Sequence, residues 1–165
     1  MRTVPHTAMV LAAGLGTRMR PLTNKTAKPL LPVSGKAMID RLLDNLVGAG
    51  VERAVVNVHW CADKVEAHVK SRRDLEIIIS DERDVLLETG GGLAKARSLL
   101  GDDPIYVVNT DAFWAPSGPK PLLDLAVAFQ SEKMDELLLL ADVENCLGFH
   151  GKGDFFRLHN GVLKR

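Results

Sequence analysis

Residues 11–23 read Leu11-Ala12-Ala13-Gly14-Leu15-Gly16-Thr17-Arg18-Met19-Arg20-Pro21-Leu22-Thr23, and they continue an apolar run over 6–12 that closes on Gly14. A short apolar run bounded by glycine predicts a buried strand. The stretch that follows, 14–32, is rich in Gly, Pro, Thr and basic residues and predicts a long loop. Loops of that length are uncommon in compact domains and are usually functional or disordered. A buried strand that opens into such a loop is the first unit of an alternating α/β chain.

The residues downstream keep that alternation. Met38, Leu42, Leu43, Leu46 and Val47 recur at helical spacing, and Gly48 and Gly50 close the helix. Strands are expected over 54–58, 76–80, 105–109 and 136–142, with helices over 63–70, 93–100 and 121–130 between them. Alternating strands and helices imply βαβ units, so the expected fold class is α/β: a Rossmann-like, mostly parallel sheet with helices on both faces. The tail departs from this. Asn160-Gly161 is a strong two-residue hairpin signal between strands expected over 155–159 and 162–164.

In a parallel sheet of this kind, ligands bind outside the carboxyl ends of the strands. Gly14, Glu82 and Asp111 each follow an expected strand end, so the topology brings them to one rim. Gly14 and Gly16 allow backbone close to a ligand, and successive N–H groups there can cradle phosphate oxygens. Arg18 and Arg20 add charge, and arginine grips phosphate with two donors at once. Lys28, at the far end of the loop, adds a point charge. Met19 stands where the dinucleotide GxGxxG pattern needs its third glycine, and no GK[ST] ending makes a Walker loop. A glycine-rich turn with two solvated arginines is the alternative reading of the bare GxG.

Composition narrows the classes. The chain has 165 residues, 46% of them hydrophobic, with 21 basic against 21 acidic side chains. That suits one globular domain over 1–165 and argues against a nucleic-acid binder or a polybasic membrane anchor. Cys61 and Cys146 have no metal-ligand spacing and read as buried or incidental thiols of a reducing cytosol. The run over 8–13 is too short for a secretory signal, and no stretch is long enough to span a bilayer. The expected location is the cytoplasm. The five histidines show no HxxxH or HExxH spacing, and His59 and Trp60 read as packing residues.

The full string 11–23, followed by Thr26-Ala27-Lys28-Pro29-Leu30, resembles the signature of the sugar-1-phosphate nucleotidyltransferase family. The strings Leu87-Glu88-Thr89-Gly90-Gly91-Gly92 and His150-Gly151-Lys152-Gly153-Asp154-Phe155 are similar to its N-acetylmuramate-1-phosphate uridylyltransferase branch. The resemblance implies transfer of a nucleoside monophosphate from a nucleoside triphosphate, UTP in that branch, to a sugar-1-phosphate, with release of pyrophosphate. It also implies a place in cell-wall recycling and Mg2+ as cofactor. By position, Leu11, Ala13, Gly14, Gly16 and Thr17 would hold the nucleotide. Arg18 and Lys28 would be catalytic, and Asp111 would bind the metal. Glu82 would read the base edge, Gly91 would let the base approach backbone, and Gly151 and Asp154 would hold the sugar.

Ala27 stands where many members have proline, and Thr110 where they have glycine before the metal-binding aspartate. A mannose-1-phosphate guanylyltransferase or a glucose-1-phosphate nucleotidyltransferase is the rival within the family, and a nucleotide-sugar-binding module without turnover is the rival outside catalysis. The sequence leaves the oligomeric state open. The resemblance also implies further strands, part of the sugar pocket and a second metal-binding aspartate beyond Arg165. Residues 1–165 alone are therefore expected to bind triphosphate weakly and to turn over slowly or not at all.

Overall fold

The computed structural model describes residues 4–114 and 118–165. These fall into two compact units, Met1–Ala128 and Phe129–Arg165. In chain order the first unit holds β1 (Thr7–Leu11), β2 (Pro32–Val33), β3 (Lys36–Ala37), α1 (Met38–Gly48), β4 (Arg53–Val58), α2 (Ala62–Val69), β5 (Glu76–Asp81), α3 (Glu88–Leu100), β6 (Tyr106–Asn109) and α4 (Lys120–Ala128). The main sheet runs β5-β4-β1-β6, and every pairing in it is parallel. The α/β fold is as the alternation of strand and helix patterns implies.

Successive side chains of a strand point to opposite faces. Ala8, Val10, Ala54, Val56 and Val58 therefore share one face, where they pack with Ile39, Leu42, Leu43 and Leu46 of α1, Val65 and Val69 of α2, and Leu122 of α4. Met9 and Val55 take the other face, against Ala96 and Leu100 of α3. Burial on both faces explains why the central strands read as unbroken apolar runs rather than alternating ones.

Two elements differ from expectation. α3 begins at Glu88, so Gly90, Gly91 and Gly92 lie inside its first turns and do not precede it. Glycine is a poor helix former, but packing overrides that preference here. Gly92 is buried, and a Cβ on it would lie 2.9 Å from both Asn57 Nδ2 and Glu82 Oε1.

The second unit contains a 3-10 turn, Val143–Asn145, and the antiparallel pair β7 (Phe156–Arg157) and β8 (Leu163–Lys164). Gly161 takes φ 84 in the turn between them, as the Asn-Gly signal predicts. Residues 136–142 do not form the expected strand. Among the described residues nothing forms a ladder with them, and Leu138, Leu139 and Leu140 are exposed. A leucine run has no alternation, and a strand exists only where a neighbour takes up its backbone hydrogen bonds.

Candidate active site

Leu11, Asn57 and Asn109 stand side by side in register at the carboxyl ends of β1, β4 and β6. The chain builds outward from β1 through β4 to β5, then returns to add β6 on the opposite side. The gap between β1 and β6 is therefore a topological switch point, where open α/β sheets bind ligands. A cleft of about 400 Å³ opens there. Its wall includes Leu11, Ala13, Gly14, Gly16, Thr17, Arg18, Lys28 and Asp111.

The loop after β1 is held in one shape by a short chain of contacts. Gly16 sits at φ 63, and a Cβ there would come within 2.9 Å of Thr23 Cγ2 and 3.2 Å of Lys28 Cβ. Thr23 is buried, and its hydroxyl donates to Gly16 O at 2.8 Å. Trp60 Nε1 donates to Thr23 O at 2.9 Å. Trp60 is thus more than a packing residue: it fastens the far side of the loop. The 3-10 turn Thr17–Met19 starts from Gly16 and carries Arg18 into the cleft wall. Arg18 is exposed, with no hydrogen-bond or ion-pair partner among the described residues. Nothing lies within 4 Å of the Cβ position of Gly14, so the backbone there is open to approach.

Lys28 opens a second 3-10 turn, Lys28–Leu30, and its ammonium pairs with Asp111 Oδ2 across the cleft. Asp111 lies two residues past the end of β6. Thr110, which stands where the family pattern has glycine, is buried and donates its hydroxyl to Leu11 O at 3.2 Å. That bond ties the strand end carrying Asp111 to the strand end opening the loop. Among the described residues no group of three or more His, Cys, Asp or Glu could hold a metal ion.

Glu82 and Gly91 do not line the cleft. Glu82 is 1% exposed. Its Oε1 accepts from Asn57 Nδ2 at 2.8 Å and its Oε2 from the backbone N–H of Leu87 at 3.1 Å. His59 Nδ1 donates to Glu82 O at 2.6 Å, the carbonyl being able only to accept. Next to it, Arg83 holds Glu66, Asp63 and Asp81, and these bonds raise its pKa above the ordinary arginine value. Asp81 is lowered by the Arg83 backbone N–H and guanidinium. The residues flanking Glu82 are thus fastened on the outside while its own carboxylate faces inward. In place of Glu82 and Gly91, Leu86, Glu88 and Thr89 form that part of the wall. Glu88 sits at φ 57, a conformation that side-chain-bearing residues seldom adopt. Asn57 also lines the cleft, a residue that no sequence motif singles out.

Gly151 and Asp154 belong to the second unit. A Cβ on Gly151 would lie 2.7 Å from Phe149 Cζ, so a side chain there would displace that exposed ring. Asp154 is exposed.

The family model described as Nucleotidyl transferase matches residues 7–149. The chain belongs to this family. It is 50% identical, over 99% of its length, to the N-acetylmuramate alpha-1-phosphate uridylyltransferase of Caulobacter vibrioides, and spans 69% of that protein. It is 42% identical, over 75% of its length, to the protein of the same name from Neisseria meningitidis, and spans 52% of it. Among solved structures, the inositol-1-phosphate CTP transferase from T. maritima aligns with TM-score 0.65 and 21% identity, over 74% of this chain and 49% of that one. That likeness concerns the fold. The nucleotidyl transferase match runs from the first residue of β1 to Phe149, and so takes in the whole cleft. Among the described residues no helix is long and apolar enough to cross a membrane.

Proposed function

We propose that the protein transfers a uridylyl group from UTP to a sugar-1-phosphate, N-acetylmuramate 1-phosphate being the favoured acceptor, and releases pyrophosphate. One observation carries the reaction class: an open glycine backbone, Arg18, Lys28 and Asp111 meet in one cleft at the switch point of the sheet. The base and the sugar rest on likeness to the two relatives that carry that name. A phosphate oxygen of the sugar-1-phosphate attacks the α-phosphorus in line, the bond to the bridging oxygen breaks, and pyrophosphate leaves. No protein nucleophile is needed. Alignment and electrostatic stabilisation lower the barrier.

In this reading the amides of residues 14–17 face the triphosphate, and Arg18 and Lys28 offset the charge that develops on it. Asp111 fits a magnesium site in its chemistry. Its Oδ2 pairs with Lys28 while its Oδ1 has no hydrogen-bond partner among the described residues, and Mg2+ is commonly bound by one or two carboxylates together with substrate phosphates. When bound, the ion would supply charge to the phosphates. Glu82 acts here as a brace beneath the cleft, and Leu86, Glu88 and Thr89 stand nearer the base. Gly151 and Asp154 are proposed to hold the sugar.

The test, run on a chain extended to the length of the Caulobacter vibrioides relative, crosses UTP, CTP, GTP and ATP with N-acetylmuramate, glucose and mannose 1-phosphates, with sugar nucleotide as readout and calorimetric binding of each triphosphate alongside. Selective UTP binding and a UDP-sugar product are expected. Selective GTP use would replace this reading with that of a guanylyltransferase, and binding without product under any pairing would favour a binding module. Replacing Asp111 by asparagine should raise the Mg2+ concentration needed for triphosphate binding by about tenfold, with an unchanged circular dichroism spectrum. An unshifted magnesium titration would remove Asp111 from the metal role.

A further inference from the structure

Asn57 interrupts the apolar residues 54–58 of the strand Arg53–Val58 and is 3% exposed. Its Oδ1 accepts from the backbone N–H of Ala12 at 2.7 Å and of Ala13 at 3.3 Å, the first two peptides beyond β1. Its Nδ2 donates to Glu82 Oε1 at 2.8 Å, and Glu82 Oε2 accepts from Leu87 N at 3.1 Å. The orientation of the amide follows from its partners. Backbone N–H groups only donate and a carboxylate only accepts, so Oδ1 must face Ala12 and Ala13 while Nδ2 faces Glu82. Asparagine meets both demands. Aspartate would set two carboxylates together, and leucine would leave both N–H groups and the Glu82 oxygen without partners. Gly92 completes the fit, because any Cβ there would press on Asn57 Nδ2 and Glu82 Oε1 at 2.9 Å. Neither Asn57 nor Glu82 has a buried side-chain nitrogen or oxygen left unpaired; among the described residues only Ser80 Oγ is such an atom.

We propose that Asn57 and Glu82 are positioning residues, a buried relay that fixes the phosphate loop and the opening of α3 relative to each other so that both walls of the cleft meet one nucleotide. This rests on the reading of the cleft as a nucleoside triphosphate site. At one end the relay takes up the amides of Ala12 and Ala13, so the free loop amides begin beyond them. At the other end it holds Leu87, the residue before Glu88, whose left-handed backbone sets the wall opposite the loop. Neither residue need touch the reacting atoms. Each acts through the backbone it holds, Asn57 through the loop and Glu82 through the start of α3.

Glu82→Gln separates the two ends. Glutamine accepts on one side only. The bond to Asn57 is buried, whereas the bond to Leu87 is part-buried and water can replace it, so the new amide keeps its bond to Asn57 and releases Leu87. In the folded, unliganded chain, amide exchange at Leu87 should quicken about tenfold or more while Ala12 and Ala13 keep their protection, the lost bond being an ordinary one. UTP should bind on the order of tenfold more weakly, while inorganic tripolyphosphate, which needs the loop alone, should stay within about twofold of wild type. Asn57→Asp should lose protection at Leu87 and weaken both ligands. Wild-type protection of Leu87 in Glu82→Gln, or equal weakening of UTP and tripolyphosphate, would overturn the relay and leave Glu82 a merely structural carboxylate. If the wild-type chain bound tripolyphosphate but no nucleoside triphosphate, the functional reading would fail, and the exchange pattern would still decide for or against the relay.

Discussion

Lys28→Ala, in the chain extended to the length of its relatives, is expected to slow nucleotidyl transfer by about 10²–10³-fold, the usual loss when one preorganised donor to a developing charge is removed. The same variant should not need more magnesium. In the unliganded cleft the Lys28 ammonium pairs with Asp111 Oδ2, the carboxylate proposed to hold the metal. Cation and metal draw on the charge of one carboxylate, so a metal ion that takes Asp111 weakens its hold on Lys28 and frees the ammonium for the phosphates. Removing the lysine removes the competitor, and the Mg2+ dependence of triphosphate binding should stay in place or move to lower concentrations. Sugar nucleotide formation and a magnesium titration on the same variant give both readings. A rate near wild type would end the catalytic assignment of Lys28. A rise in the magnesium requirement would show that the two groups cooperate on the metal instead of competing.

This opposition was not legible in the sequence. Gly14, Glu82 and Asp111 could be assigned to one rim because each follows a strand end and strand ends of a parallel sheet share a side, and Arg18 and Lys28 belong to the loop that Gly14 opens. Pattern alone carries no distances, so the pairing of Lys28 with Asp111 emerges only in the fold. The same limit explains Glu82. Among Asp81, Arg83 and Asp84 it reads as one more surface charge or, by resemblance, as a reader of the base. The fold turns it inward because Asn57 and Leu87 N offer it two donors from opposite directions. A signal for Asn57 was present: an asparagine inside Ala54-Val55-Val56-Asn57-Val58 must satisfy its amide somewhere. What it satisfies depends on residues 45 positions before it and 25 after it, which no local pattern reports. The fold itself was more legible, since apolar period and glycine punctuation are local. They failed at 136–142, where the missing information is again a neighbour.

The glycines of the loop make the sharpest contrast between local signal and fold, because Gly14 and Gly16 look alike in sequence and should respond oppositely to a side chain. Gly16→Val would place a branched side chain in a left-handed backbone, at roughly 1–2 kcal/mol. Its Cβ would also meet Thr23 Cγ2 at 2.9 Å and Lys28 Cβ at 3.2 Å. Thr23 has little room to yield. It is buried, its hydroxyl is bonded to Gly16 O and its carbonyl is bonded to Trp60. The overlap should therefore add about 1–3 kcal/mol and push the loop outward, carrying Lys28 away from Asp111. Gly14→Ala meets nothing within 4 Å and needs no left-handed backbone. It should leave the folding midpoint nearly unchanged, or raise it slightly by stiffening the unfolded chain. Denaturant unfolding of both variants, with UTP affinity measured on each, checks the pair. Gly16→Val should lose stability and UTP affinity together. Gly14→Ala should keep its stability, so that any loss of affinity reports the approach of phosphate to bare backbone. Equal stability of the two variants would mean that Thr23 and Trp60 do not clamp the loop, and that its shape in the unliganded protein is not the fixed cradle described here.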